Sequence, residues 1–146
     1  MDSLNVSLAY QNINKTFPLI LDPVPLREGG GKWWYLEKPF EMVLLINGVL
    51  TTITVPQGFK TDFASIPRFA WSIVGHPCGE YKDSAVVHDF LYGDKRYPRT
   101  VNDQIFNLGN TVLKIAQWKR FILYRAVNIG GWYGYKNNIN RFVTVT

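Results

Sequence analysis

Apolar and polar positions alternate most clearly between Phe40 and Val55, where "FEMVLLI" and the β-branched run "VLTTITV" flank Asn47 and Gly48. Asn-Gly between two such runs is the strongest short hairpin signal, because a two-residue turn of the favoured kind needs positive φ at both central residues. The pattern predicts an antiparallel hairpin over 40–55. Upstream, "WWYLE" reads as a further β segment, and the stretch from Val6 to Leu21 contributes an earlier strand. Between them "DPVPLREGGGKWW", with two prolines and three consecutive glycines, reads as a loop.

Beyond Pro56 and Gly58 the spacing changes to that of helices. In "TDFASIPRFAWSIVG" an oxygen side chain, Thr61 or Asp62, is placed to cap a short helix whose first turn Pro67 makes irregular. Gly75 to Gly79 is a turn. Asp83 or Ser84 then caps a helix over 85–92 that Gly93 stops. From Thr100 a longer helix carries Ile105, Leu108, Val112 and Ala116 at helical spacing, and a second helical stretch runs over 119–128 until Gly130 and Gly131. The expected fold is α+β: an N-terminal antiparallel β hairpin or sheet, then three or four packed helices. One domain is expected over 1–146, β-rich over 1–60 and helical over 61–130, with a short C-terminal tail.

A chain of 146 residues suits one domain, and a domain of this size buries roughly 68–70% of the surface that its unfolded chain exposes. An apolar fraction of 47% with 15% aromatics is that of a packed globular chain. No run approaches the roughly 18 apolar residues that a membrane span needs. "MDSLNVSLAY" has neither the cationic nor the apolar region of a secretory leader, and the single cysteine, Cys78, fits synthesis in a reducing cytoplasm.

The net charge of +5 is concentrated at one end. From Gln104 onward there is no Asp or Glu, while Lys114, Lys119, Arg120, Arg125, Lys136 and Arg141 supply six cations among aromatic residues. Such a surface suits an anionic partner, whether phospholipid head groups, nucleic acid or an acidic protein. It equally suits a solvated helix face whose long stems pack on the core.

The candidate chemistry lies in "DSAVVHDFLYG". On a helix Ala85, His88, Asp89 and Tyr92 share a face, while Val86, Val87, Phe90 and Leu91 make the remaining sides apolar. A helix of that kind is buried, so His88 and Asp89 must be paired internally or line a cleft. Asp103 is the expected partner of His88, since "GDKRYPRT" is long enough to fold the next helix back antiparallel. A carboxylate on one imidazole nitrogen fixes the tautomer and leaves the other free to take a proton. Arg68, Arg96 and Arg99 are placed to pair with Asp62 or Asp89.

The order "VPQGFKTDFASIPR", "HDFLYG" and "NDQIF" resembles an uncharacterised family of small proteins encoded by tailed bacteriophages and prophages, with the likeness running from about Trp34 to Trp132. That resemblance implies a virion protein made in the host cytoplasm. The "HD" helix with Tyr92, followed by "D..F", is also similar to the secreted phospholipase A2 class, above all the phospholipase domain of parvovirus capsids. That second resemblance implies His88 as the base that activates water, Asp89 as a Ca²⁺ ligand, and Asp103 with Tyr92 as the groups that hold the histidine. The chain departs from the class in three ways: no glycine-rich calcium loop matches convincingly, the usual disulfides are absent, and His88 and Asp103 are closer in sequence.

Several functions stay open at this stage. Asp62, Arg68, His88, Asp89, Arg99 and Asp103 can form one buried network that orients the helices. Asp62, His88, Asp89 and Asp103 offer one nitrogen and several oxygens, a set that suits Ca²⁺ or Mg²⁺ better than structural Zn²⁺. His76 in its turn has a packing or solvent-exposed role. Ser65 lacks a Gly-x-Ser-x-Gly setting, which argues against a serine hydrolase, and no P-loop or dinucleotide fingerprint occurs. The expected function is a virion-associated structural or accessory protein of the tail or head–tail junction, with other phage structural proteins as partners. The alternative is a Ca²⁺-dependent phospholipid acyl hydrolase acting on the host envelope, and a third reading makes the basic end a nucleic-acid contact.

Overall fold

Asn47 and Gly48 take φ of 53° and 78°, the left-handed pair whose twist matches two antiparallel strands. They join β4 (Phe40–Ile46) to β5 (Val49–Val55), registered from Phe40 opposite Val55 to Ile46 opposite Val49. This is the hairpin that the alternation predicts. The structure, a computed structural model, describes residues 33–130 together with two short strands, β1 (Val6–Leu8) and β2 (Val24–Pro25). β1 adds antiparallel to the outer side of β4. β2 pairs with β3 (Trp34–Tyr35), which pairs with β6 (Lys60–Thr61), giving a second small antiparallel sheet. Pro25 thus lies in a strand inside the stretch read as loop; two residues at a sheet edge leave too short a pattern to detect, and an edge tolerates proline.

Four helices follow: α1 (Arg68–Val74), α2 (Lys82–Asp94), α3 (Arg99–Val112) and α4 (Gln117–Gly130). The architecture is α+β, as the sequence predicts. The helix ends differ from expectation. Neither Thr61 nor Asp62 caps α1, which starts after Pro67 without a side-chain cap. Both instead fold the preceding turn: Thr61 Oγ1 accepts the Phe63 N–H at 2.9 Å, and Asp62 Oδ1 accepts the Ala64 N–H at 3.0 Å. Short oxygen side chains serve a turn as readily as a cap. Helix α2 starts at Lys82 rather than Ala85, and it runs through Gly93 to end at Lys95, whose φ is 62° and whose N–H reaches Leu91 O. A helix buried along most of its length draws its stability from packing, which overrides a single glycine.

The hairpin faces the helices through Met42, Leu44, Ile53 and Val55. Against them pack Phe63 and Ile66 of the turn before α1, Tyr81, Ala85 and Leu91 around α2, Ile105 and Phe106 of α3, and Leu123 and Val127 of α4. Every residue of α2 from Ser84 to Tyr92 is buried, so the sides of this helix meet protein all round. Helices α2 and α3 pack on one another, and Gly109 allows the close approach: a Cβ there would lie 2.8 Å from the Ser84 Cβ. No helix among the described residues is long and apolar enough to cross a membrane.

Candidate functional site

The middle of α2 meets the start of α3 and the turn between β6 and α1. His88 Nε2 lies 2.7 Å from Asp103 Oδ1, and the Tyr92 hydroxyl donates to the same oxygen at 2.6 Å. On the other side of the ring, Ser65 Oγ is 2.9 Å from His88 Nδ1. A carboxylate only accepts, so with Asp103 ionised Nε2 carries a hydrogen and a neutral His88 offers the Nδ1 lone pair to the Ser65 hydroxyl. The imidazole lies against two tilted rings, Tyr92 at 4.2 Å and Phe106 at 4.7 Å between centroids. Burial first, then the neighbouring Asp103 charge, push the Tyr92 phenol above its ordinary range, so it stays a donor.

Asp89, next along the helix, is engaged separately. Its Oδ2 accepts the Thr61 hydroxyl and its Oδ1 accepts the Ser65 N–H at 3.2 Å. The turn 61–65 therefore touches both neighbouring residues of the helix: Ser65 gives its side chain to His88 and its backbone to Asp89. Ser65, His88 and Asp103 are each 1% exposed, and Asp89 and Tyr92 are fully enclosed. An apolar cleft between β4, α2 and α3, lined by Phe40, Met42, Val87 and Gly109, includes none of these five residues.

Of the residues singled out from the sequence, His88, Asp103 and Tyr92 converge as one hydrogen-bonded group. Arg99 stands at its edge, with Nη1 3.9 Å from Asp103 Oδ2 while its guanidinium donates to Val127 O and Asn128 O. That geometry ties the start of α3 to the end of α4. Arg68 is exposed, with its guanidinium 4.8 Å from the Trp71 ring, and Arg96 pairs with Asp94. Asp62 lies in the turn described above, and among the described residues no group of three or more His, Cys, Asp or Glu side chains is placed to hold a metal ion. With both Asp89 oxygens hydrogen-bonded inside the fold, the donor set does not fit Ca²⁺, which needs six to eight oxygens.

Thr61 and Ser65 are the functional neighbours that the sequence reading missed. A hydroxyl on a turn carries no mark of its partner, and the dense "TDFAS" run between a strand and a proline is the only signal that could have drawn attention to them. His76 is exposed in its turn, where Nδ1 accepts the Cys78 N–H at 2.9 Å and the ring meets Trp71 edge-on at 4.7 Å. Its pKa is lowered, first by partial burial and then by the Arg68 charge. In the basic segment, Lys119 pairs with Glu80 at 3.0 Å, Arg120 donates to Thr111 Oγ1 at 2.9 Å, Arg125 lies over Phe121, and Lys114 is exposed with φ of 60° after α3. Lys136 and Arg141 lie outside the described residues.

Comparison with known proteins supplies kinship. An uncharacterized protein, y4jT, of Sinorhizobium fredii (strain NBRC 101917 / NGR234) is 38% identical over 76 residues, which is 50% of this chain and 22% of that protein. The chain thus spans about a fifth of the length of this relative. No solved structure matches. The family model described as "Protein of unknown function (DUF1353)" matches residues 34–127, a span that contains the hairpin, the turn with Thr61 and Ser65, and both helices that carry His88 and Asp103. The chain belongs to the DUF1353 family.

Proposed function

We propose that this chain is a virion-associated structural or accessory protein of a tailed phage or prophage, placed in the tail or at the head–tail junction. In this reading the Ser65, His88, Asp89, Tyr92 and Asp103 group is a polar keystone that fixes one turn and two helices. The observation that carries the keystone is enclosure: each of these side chains is at most 1% exposed, and both ring nitrogens of His88 have partners within the fold. Buried polar groups paired from inside favour one arrangement of the elements they join, although Asp103 Oδ2 is buried without a hydrogen-bond partner. The viral setting rests on the resemblance of "TDFASIPR" and "HDFLYG" to the tailed-phage family. Other structural proteins of the particle are the partners, and nucleic acid fits less well. Mass spectrometry of purified particles is the test: the protein is expected among the stoichiometric components, and its absence from them overturns this function.

One observation favours a second reading, hydrolysis of host phospholipid as the phage enters or leaves. Ser65 Oγ sits on His88 Nδ1, the nitrogen opposite the one held by Asp103. In that reading Ser65 Oγ bonds to the acyl carbon while its proton passes to Nδ1. The alcohol then leaves with that proton, and water releases the acyl group by the same route. No metal is required. At 1% exposure Ser65 meets a substrate only if the turn or α1 moves aside. Fatty-acid release from anionic liposomes, with and without calcium, decides the matter. Release that requires Ser65 and not calcium supports the serine form; release that requires calcium means that Asp89 gives up Thr61 and Ser65 to bind the ion. No release above a His88→Ala control removes hydrolysis.

A further inference from the structure

Trp118, Phe121, Arg125 and Ile129 recur at intervals of three and four along α4 and so share one face. Trp118, Phe121 and Ile129 are 54%, 65% and 65% exposed, unusual values for side chains of this size. The Lys119 ammonium lies 5.5 Å from the Trp118 ring centroid, and the exposed Arg125 guanidinium 5.9 Å from that of Phe121. Helix α1 extends this face. A Cβ on Gly130 would come within 2.8 Å of Pro67 and 3.8 Å of Phe69, so Phe69 adjoins the end of α4 beside Ile129. Phe69 and Ile73 are 59% and 54% exposed, and Arg68 stands exposed next to them. Neither helix contains an acidic residue; one acid, Glu80, reaches the edge through Lys119.

We propose that this α1–α4 face docks on an anionic phospholipid surface. Aromatic and aliphatic side chains that protrude among cations match the boundary between acyl chains and negatively charged head groups. The charge pattern selects among possible occupants. A second copy of the chain would bring the same cationic face and be repelled. Single-stranded nucleic acid would use the cations and the rings but leave Ile73 and Ile129 without a role. The inference goes beyond both functional readings and depends on neither.

The test is cosedimentation of the full chain with vesicles of pure phosphatidylcholine and of phosphatidylcholine mixed with phosphatidylglycerol. Binding is expected on the mixed vesicles and should weaken as salt rises. Phe121→Ser and Arg125→Glu, with circular dichroism to verify folding, should each weaken it by on the order of tenfold. Leu50→Ser, at the hairpin tip where Leu50 is 65% exposed, should leave it unchanged. The proposal is overturned by absent binding, by equal binding to both vesicle types, or by an equal loss in Leu50→Ser. It is overturned too if Phe121→Ser disperses a dimer of the chain, or if single-stranded DNA is bound through this face and vesicles are not.

Discussion

Ser65 Oγ lies 2.9 Å from His88 Nδ1, a contact that ties the turn before α1 to the middle of α2. Ser65→Ala removes this hydroxyl and keeps the backbone N–H that serves Asp89. A buried ring nitrogen then loses its partner, which should cost about 1–3 kcal/mol. Denaturant unfolding of the variant checks it, and an unchanged midpoint would mean that the contact contributes nothing to the fold. Because both residues belong to one network, the loss in a Ser65→Ala, His88→Ala double variant should be smaller than the sum of the single losses.

Asp89 accepts from two donors, the Thr61 hydroxyl and the Ser65 N–H, one on each oxygen. Asn at this position supplies one acceptor and turns an NH₂ group toward the other donor. A loss of roughly 1–3 kcal/mol follows from the unsatisfied pair. Thermal melts of Asp89→Asn should show it as a lowered midpoint, and an unchanged midpoint would mean that these two bonds contribute nothing to the fold.

The hairpin and the helical order were legible because each is written in local periodicity: "INGV" with its flanking alternation for the turn, 3.6-residue spacing for α3 and α4. The meeting of His88 with Asp103 was legible too, since an apolar helix that carries two polar residues needs partners and the next helix offered an acid. Ser65 was not. Its role depends on a turn that folds back across 23 residues of sequence, and linear order does not encode which hydroxyl arrives. Helix ends were misread for a related reason. Thr61, Asp62, Asp83 and Ser84 have the chemistry of caps, but none caps a helix here: Thr61 and Asp62 shape a turn, and Ser84 bonds to Tyr81 O and Asn110.

Gly109 marks the closest approach of α2 and α3. An added Cβ would meet the Ser84 Cβ at 2.8 Å and the Met42 Cε at 3.1 Å. Methionine can swing aside, but Ser84 is fixed by its bonds to Tyr81 O and Asn110. Alanine gains about 1 kcal/mol of helix propensity over glycine, and overpacking costs about 1–3 kcal/mol. The net expectation for Gly109→Ala is destabilisation, read as a lowered melting temperature. A stabilised variant would show that the two helices separate more easily than this packing implies.

Asp83 supplies the pH dependence. It lies in the first turn of α2, where the helix dipole favours its charge, yet burial pushes its carboxyl up from 3.8 to about 7, against a lowering pull from Lys82. Its surroundings explain why burial wins: the carboxyl borders the apolar cleft formed by Phe40, Met42 and Val87. Between about pH 4 and 7 the native state keeps a proton that the unfolded chain has released, so the contribution to stability is full below the lower value and is lost as pH rises through the upper one. The full shift is worth at most about 4 kcal/mol, and partial exposure of the group brings this to roughly 1–2 kcal/mol. Asp83→Asn keeps the neutral form at every pH. Its stability should match that of the parent near pH 4 and exceed it by that amount near pH 8, measured by denaturant unfolding at both. A difference that does not change with pH would mean that Asp83 ionises in the folded chain as it does in the unfolded one, with the cleft too wet to hold its proton.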